Sequence, residues 1–222
     1  MRYQELLAEL QTFADESYRV FHKRLLKNDN ISVLGVRVPQ LRKTAKKYIN
    51  CVDELLSFPD DYYEVTFIKL TAVSYLKWDG FIKRVDACVA LIDNWATCDC
   101  FTPKCIAKHK DEFLPYIYKY LENDDEFYKR FALTTLLHFF VEEKYFKAIE
   151  DILKTVDTEK YYVHMAAAWL IAELLIKNYN DTVGFLKGNF TDKKTHNKAI
   201  QKACESFRLT AEQKTYLKGL KL

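Results

Sequence analysis

An all-α fold is predicted for this chain, a curved superhelical solenoid of stacked antiparallel helix pairs, and three observations predict it. The first is a shortage of turn formers: 5 Gly and 4 Pro in 222 residues, roughly 4% against about 12% in average usage, are too few for a fold of many hairpins. The second is apolar spacing at helical period along nearly the whole chain. The third is the return of distinctive residues at near-constant intervals. With 49% apolar residues and a mean hydropathy of −0.26, the chain has material for a core without help from a membrane or from disulfides.

The elements follow in order. Leu6, Leu10 and Phe13 mark a first helix. Gly35 and Pro39 punctuate the main turn, with Pro39 just inside a helix that begins near Val38, where a missing N–H costs nothing. Tyr62 to Leu76 is apolar nearly all round, the mark of a central helix. Asn123 with Glu126 and Thr210 with Gln213 stand at capping-box spacing, so helices are predicted to start there. Tyr145, Phe146, Ile149, Ile152 and Leu153 repeat at i, i+1, i+4, i+7 and i+8, a helix with one buried face. Trp169, Leu170, Leu174 and Leu175 continue the style. Strand-type alternation is scarce.

Roughly 12 to 14 helical segments exceed what one compact bundle holds, and no Ser/Gly-rich linker divides them, so residues 1–222 read as one domain of stacked pairs. Trp95, Arg130 and Trp169 recur at steps of 35 and 39 residues. That is about the length of a paired-helix repeat, and one residue per repeat lines up along one wall of such a stack.

Charge is unevenly spread. The formal net charge is +3, yet residues 1–50 hold ten Lys/Arg against five Asp/Glu and residues 188–222 eight against three, leaving the middle at −7. A polyanionic partner is therefore expected to be gripped by the terminal segments. Arg37, Arg42, Lys43, Lys46 and Lys47 gather on one helix. Lys193, Lys194, Lys198 and Lys202 surround another helix start, where backbone N–H groups also attract phosphate. Solvated lysine faces are the competing explanation. No apolar run approaches the length of a membrane span and the first ten residues lack the apolar stretch of an export signal, which predicts a cytosolic protein with its six cysteines reduced.

Several chemistries are excluded or disfavoured. There is no Gly-rich phosphate loop, H-E-x-x-H or G-x-S-x-G. Cys98, Cys100, Cys105 and His109 invite a zinc reading, but no C-x-x-C is present and the donors fall in core-like helices. No metal or organic cofactor is expected. His138 and His164 read as hydrogen-bonded core residues, and His196 as the more exposed histidine. Trp95 and Asp99, four apart, share a helix face and offer an aromatic plane beside a carboxylate. A packing tryptophan with a solvated aspartate accounts for that pair alone; with Arg130 and Trp169 at repeat spacing the set exceeds what packing requires.

These residues carry a resemblance. Gly35-Val36-Arg37-Val38-Pro39-Gln40-Leu41-Arg42, Asn94-Trp95-Ala96-Thr97-Cys98-Asp99, Arg130-Phe131-Ala132-Leu133 and Ala168-Trp169-Leu170-Ile171-Ala172-Glu173, in that order and spacing, resemble the AlkD-like DNA alkylation repair family of HEAT-like (ARM-type) repeat glycosylases. The likeness runs from about residue 20 to residue 175, and Lys194 to Ile200 resembles the ending of shorter members. It implies excision of N3- or N7-alkylated purines from duplex DNA without a base pocket. Trp95, Asp99 and Trp169 would form the catalytic trio and Arg130 would hold a phosphate. Two positions differ from the family: Leu25, within His22 to Asn28, stands where a Tyr is usual, and Ala172 where an Arg often precedes the Glu. A repeat protein that binds branched or damaged DNA without cutting, and a protein-interaction scaffold, are the rival readings.

Overall fold

The computed structural model describes residues 2–26, 30–188 and 190–222, and all regular structure among them is helical. Fifteen α-helices are seen among the described residues, together with 3-10 turns at Ile49–Cys51, Lys104–Lys108 and Glu143–Tyr145. The backbone groups into two compact units, Met1–His109 and Lys110–Leu222.

The first unit holds α1 (Tyr3–Gln11), α2 (Glu16–Leu26), α3 (Val38–Lys46), α4 (Val52–Leu56), α5 (Tyr63–Ser74), α6 (Trp78–Ile82), α7 (Val85–Val89) and α8 (Trp95–Cys100). Helix α5 is its centre, packed against α3, α4, α6, α7 and α8. The apolar reading of residues 62–76 is borne out: Tyr63 to Val73 are all buried. Burial all round leaves this helix no solvent face, so its two charged residues need internal partners. The Lys69 ammonium, fully buried, donates to the Phe58 carbonyl and to Asp60 at 2.9 Å.

Glu64, 1% exposed, has a structural task. Its carboxylate accepts from the backbone N–H groups of Leu34, Gly35 and Val36 at 2.9, 2.8 and 3.2 Å. Gly35 has φ +92°, and a Cβ there would stand 2.5 Å from the Asp15 carbonyl oxygen and 2.7 Å from the Arg19 Cβ. Glycine is thus required twice over, by dihedral and by space. The turn delivers Arg37 as the N-cap of α3, with Pro39 in its first turn as predicted.

The second unit holds α9 (Lys110–Leu121), α10 (Glu126–Phe139), α11 (Phe146–Thr155), α12 (Tyr161–Lys177), α13 (Tyr179–Lys187), α14 (Lys193–Glu205) and α15 (Ala211–Lys218). Helices α10, α12 and α14 form a row, each against the next, with α9 beside α10, α13 beside α12 and α15 beside α14. This is the local arrangement of stacked helical pairs. Helix α12 contacts helices on several sides, and nine of its residues are buried.

Helix starts were partly legible. The Thr210–Gln213 capping box opens α15 as predicted. Asn123 does not cap α10: its side chain accepts from the Asp125 N–H, and Asp125 is the N-cap, accepting from Phe127. An Asn-centred turn and a cap two residues later share the signal that pointed to one cap.

Candidate functional site

Helix α8 carries the first pair of site residues. Asn94 caps it, accepting from the N–H groups of Ala96 and Thr97 at 3.0 and 2.9 Å, which fixes the first turn and so the orientation of Trp95. Ala96, Thr97 and Cys98 are buried, while Trp95 and Asp99 are half-buried one turn apart. Neither is a core residue. The Trp95 indole Nε1 donates to the Leu25 carbonyl at 3.4 Å, tying α8 to the end of α2. Lys27 and Asn28 of that stretch lie outside the described residues.

Arg42, Thr71, Ser74, Tyr75, Cys100, Thr102, Lys104 and Cys105 line a cavity of about 410 Å³ in this unit. Burial raises the Cys100 thiol above its ordinary pKa, with Arg42 opposing the shift, so the thiol stays protonated at neutral pH.

The basic residues of α3 divide by partner. Arg37 pairs with Asp15 at 2.9 Å and lies 4.6 Å over the Tyr18 ring. Hydrogen bonds from Ser17, the Tyr18 N–H and Arg37 hold the Asp15 carboxyl well below the usual range. Lys47 pairs with Glu9 at 2.7 Å. Arg42, Lys43 and Lys46 are exposed, with the Lys46 ammonium 6.0 Å from the Tyr75 ring centroid.

The second unit places Arg130 and Trp169. Arg130 is only 6% exposed, and its guanidinium donates to the Tyr162 carbonyl at 3.0 Å and lies 5.8 Å over the Tyr162 ring. It secures the start of α12. Trp169, in the middle of α12, is half-buried and borders two open clefts. One, about 320 Å³, includes Ala172, Glu173, Lys202, Phe207 and Arg208. The other, about 500 Å³, includes His138, Glu142, Lys177 and again Glu173 and Arg208.

Three sequence expectations change here. His138 is exposed on the last turn of α10, edge-on to Trp169 with ring centroids 5.9 Å apart; Leu136 and Phe140 of the same stretch are buried and it is not. His196 is 1% exposed, its Nε2 at 2.8 Å from the Leu220 carbonyl, because α15 and the following residues cover it. His164 is half-buried beside the Thr195 hydroxyl at 2.9 Å. The third change concerns the start of α14. The N–H groups of Lys194 and Thr195 are already bonded to the Asp192 carboxylate, so negative charge of the chain's own sits where phosphate was expected. Lys194 keeps an exposed side chain, and half-buried Lys198 reaches Gln201 at 3.3 Å.

The zinc candidates do not gather: among the described residues no group of three metal-ligating side chains comes together. His109 instead stacks on Trp78, centroids 4.5 Å apart and planes at 6°. None of the six cysteines is joined in a disulfide. No helix among the described residues is long and apolar enough to cross a membrane.

Sequence reasoning missed Glu64, the Glu173–Arg208 pair (2.8 and 2.7 Å) and Phe207. A carboxylate in the apolar α5 was the available signal for the first. Nothing in the sequence pairs residues 173 and 208. The geometry thus gives an aromatic–carboxylate pair accessible on α8, a basic face on α3, and a second accessible indole on α12. None of the curated proteins compared matches the chain, whereas the family model described as DNA alkylation repair enzyme matches residues 6–207. Since that match covers nearly the whole sequence, the chain belongs to the DNA alkylation repair enzyme family.

Proposed function

We propose that this protein is a DNA N-glycosylase that hydrolyses the N-glycosidic bond of N3- or N7-alkylated purines in duplex DNA. The observation that carries the reading is the half-burial of Trp95 and Asp99 on α8, at the positions that resemble the family's catalytic residues. A core packing role would bury the indole, and a purely solvated carboxylate would be exposed.

Alkylation makes the purine cationic and a good leaving group. The bond from the sugar C1′ to the purine breaks with its electron pair leaving on the base, and a water oxygen then bonds to C1′ and releases a proton to solvent. The enzyme's task is to stabilise positive charge that builds on the sugar. The Asp99 carboxylate does so electrostatically or by orienting the water. Trp95 and Trp169 add attraction for the cationic sugar or base, about 0.5 to 2 kcal/mol each according to desolvation.

Backbone contacts fall to the exposed cations and to half-buried Lys198. Arg37, Arg42, Lys43 and Lys46 of the α3 region, with Lys194 and Lys198 on α14, neutralise phosphates and set the register of the duplex. Arg130, committed to the Tyr162 carbonyl, acts as a positioning residue that steadies α12 and hence Trp169. No metal or cofactor is called on, the working form is a monomer and the compartment is the cytoplasm.

The test is release of 7-methylguanine from methylated duplex DNA by wild type and Asp99→Asn. Leu25 and Ala172, which differ from the family, favour one alternative: a helical-repeat protein that binds damaged or branched DNA without cutting. That alternative shows salt-sensitive binding and no base release from either form.

A further inference from the structure

Phe207 is 98% exposed, more than any other large apolar side chain described. It sits between α14 and α15 in a loop that is held on both sides. The Arg208 guanidinium donates twice to the Glu173 carboxylate, at 2.8 and 2.7 Å, and the Arg208 N–H donates to the Ser206 hydroxyl at 3.2 Å. Leu209 is 7% exposed, and Thr210 opens the capping box of α15. An aromatic ring in water between fixed neighbours gains nothing from folding, because apolar burial is what stabilises such a ring. A frame of this kind presents the ring to something else.

What surrounds it indicates the occupant. Phe207 borders the cleft of about 320 Å³ that also holds Trp169, Lys202 and Arg208. Ala172 is small and buried there, so the cleft floor is low. Of the two acids on the rim, Glu173 is neutralised by Arg208 and Glu205 accepts from the Gln201 amide at 3.0 Å. With Arg208 committed to Glu173, the cleft offers two aromatic planes and the Lys202 ammonium, and aromatic planes beside a cation suit a flat ring attached to phosphate, the combination by which proteins hold unstacked bases. Resting on the excision reading above, we propose that Phe207 stacks on a base displaced from the duplex near the lesion and holds that strand beside Trp169.

The test uses the full chain and a duplex with 2-aminopurine next to a tetrahydrofuran abasic analogue. Wild-type protein is expected to change the 2-aminopurine fluorescence on binding. Phe207→Ala is expected to bind about 10-fold more weakly and to lose the fluorescence change. Its thermal midpoint should match wild type, since no packed surface is removed. Phe207→Tyr restores both signals and Phe207→Leu restores neither. The inference is overturned if Phe207→Ala behaves as wild type, if Leu serves as well as Tyr, or if wild type is a dimer that the Ala change disperses, which would make a second copy the occupant. The two readings fail separately. Phe207-dependent binding without any alkylpurine release removes excision and keeps the stacking role; release with Phe207-independent binding does the reverse.

Discussion

Replacing Glu64 by Ala removes the acceptor for three backbone N–H groups of the turn that mounts α3. Two of those bonds, from Gly35 and Val36, are buried and share one carboxylate oxygen, while that from Leu34 goes to the other and is partly buried. A buried donor left unpaired costs about 1 to 3 kcal/mol, so the two buried groups set a loss of roughly 2 to 6 kcal/mol. Relief of carboxylate desolvation and entry of water offset part of this, and about 3 to 4 kcal/mol is expected. Against a typical total of about 5 to 15 kcal/mol this is a large fraction. Glu64→Gln keeps an oxygen for Gly35 and Val36 but turns an NH₂ toward the Leu34 N–H, for a loss of about 1 to 2 kcal/mol. Urea unfolding at neutral pH, read as a shift in midpoint at constant slope, measures both. An Ala variant within 0.5 kcal/mol of wild type, or Ala and Gln variants of equal stability, would refute the reasoning.

Other expectations follow from the same coordinates. Gly35→Ala places a Cβ 2.5 Å from the Asp15 carbonyl oxygen at φ +92°, and should destabilise by about 3 kcal/mol or more in the same urea assay. Asp192 caps α14; burial pushes its carboxyl up, but bonds from Thr158, Thr195 and the Lys194 N–H prevail and hold it at about 2, below its ordinary 3.8. Its contribution is therefore complete above pH 3.8 and fades as pH falls through about 2. Asp192→Ala should lose about 1 kcal/mol at neutral pH and show no deficit at the acid end, as followed by circular dichroism against pH. For the basic face, each of Arg42→Ala, Lys43→Ala and Lys46→Ala that removes a phosphate contact should lower the salt slope of duplex affinity by about 0.9. Fluorescence anisotropy over a range of NaCl concentrations reads this directly.

Much of the fold was legible because helix burial writes itself into sequence period. The all-round apolar stretch at 62–76 became α5, and the one-sided pattern at 145–153 became α11. Caps were legible where the capping side chain bonds locally, as at Thr210, and misplaced where two local turns overlap, as at Asn123 and Asp125. Long-range polar pairing left little trace. Glu64 with residues 34–36, Arg208 with Glu173 and Arg130 with the Tyr162 carbonyl join positions about 30 or more apart in sequence, and spacing rules reach only one or two helical turns. The histidines show the same limit: His138 and His196 lie in helices of mixed pattern, and which side of the helix met a neighbour decided their exposure. Of the candidate site, Trp95 and Asp99 were legible as a one-turn pair because α8 holds both. The clefts beside Trp169 were not, since they are bounded by a loop some forty residues downstream.

The most direct test is a single-turnover time course of 7-methylguanine release from methylated duplex DNA, with duplex affinity measured on the same preparations. Wild type is expected to release the base. Asp99→Asn is expected to bind within a few-fold of wild type and to release it at least about 100-fold more slowly, the scale on which loss of one charge-stabilising group is felt. Equal release by the two proteins would contradict the role given to Asp99, and no release by wild type would contradict the excision chemistry itself.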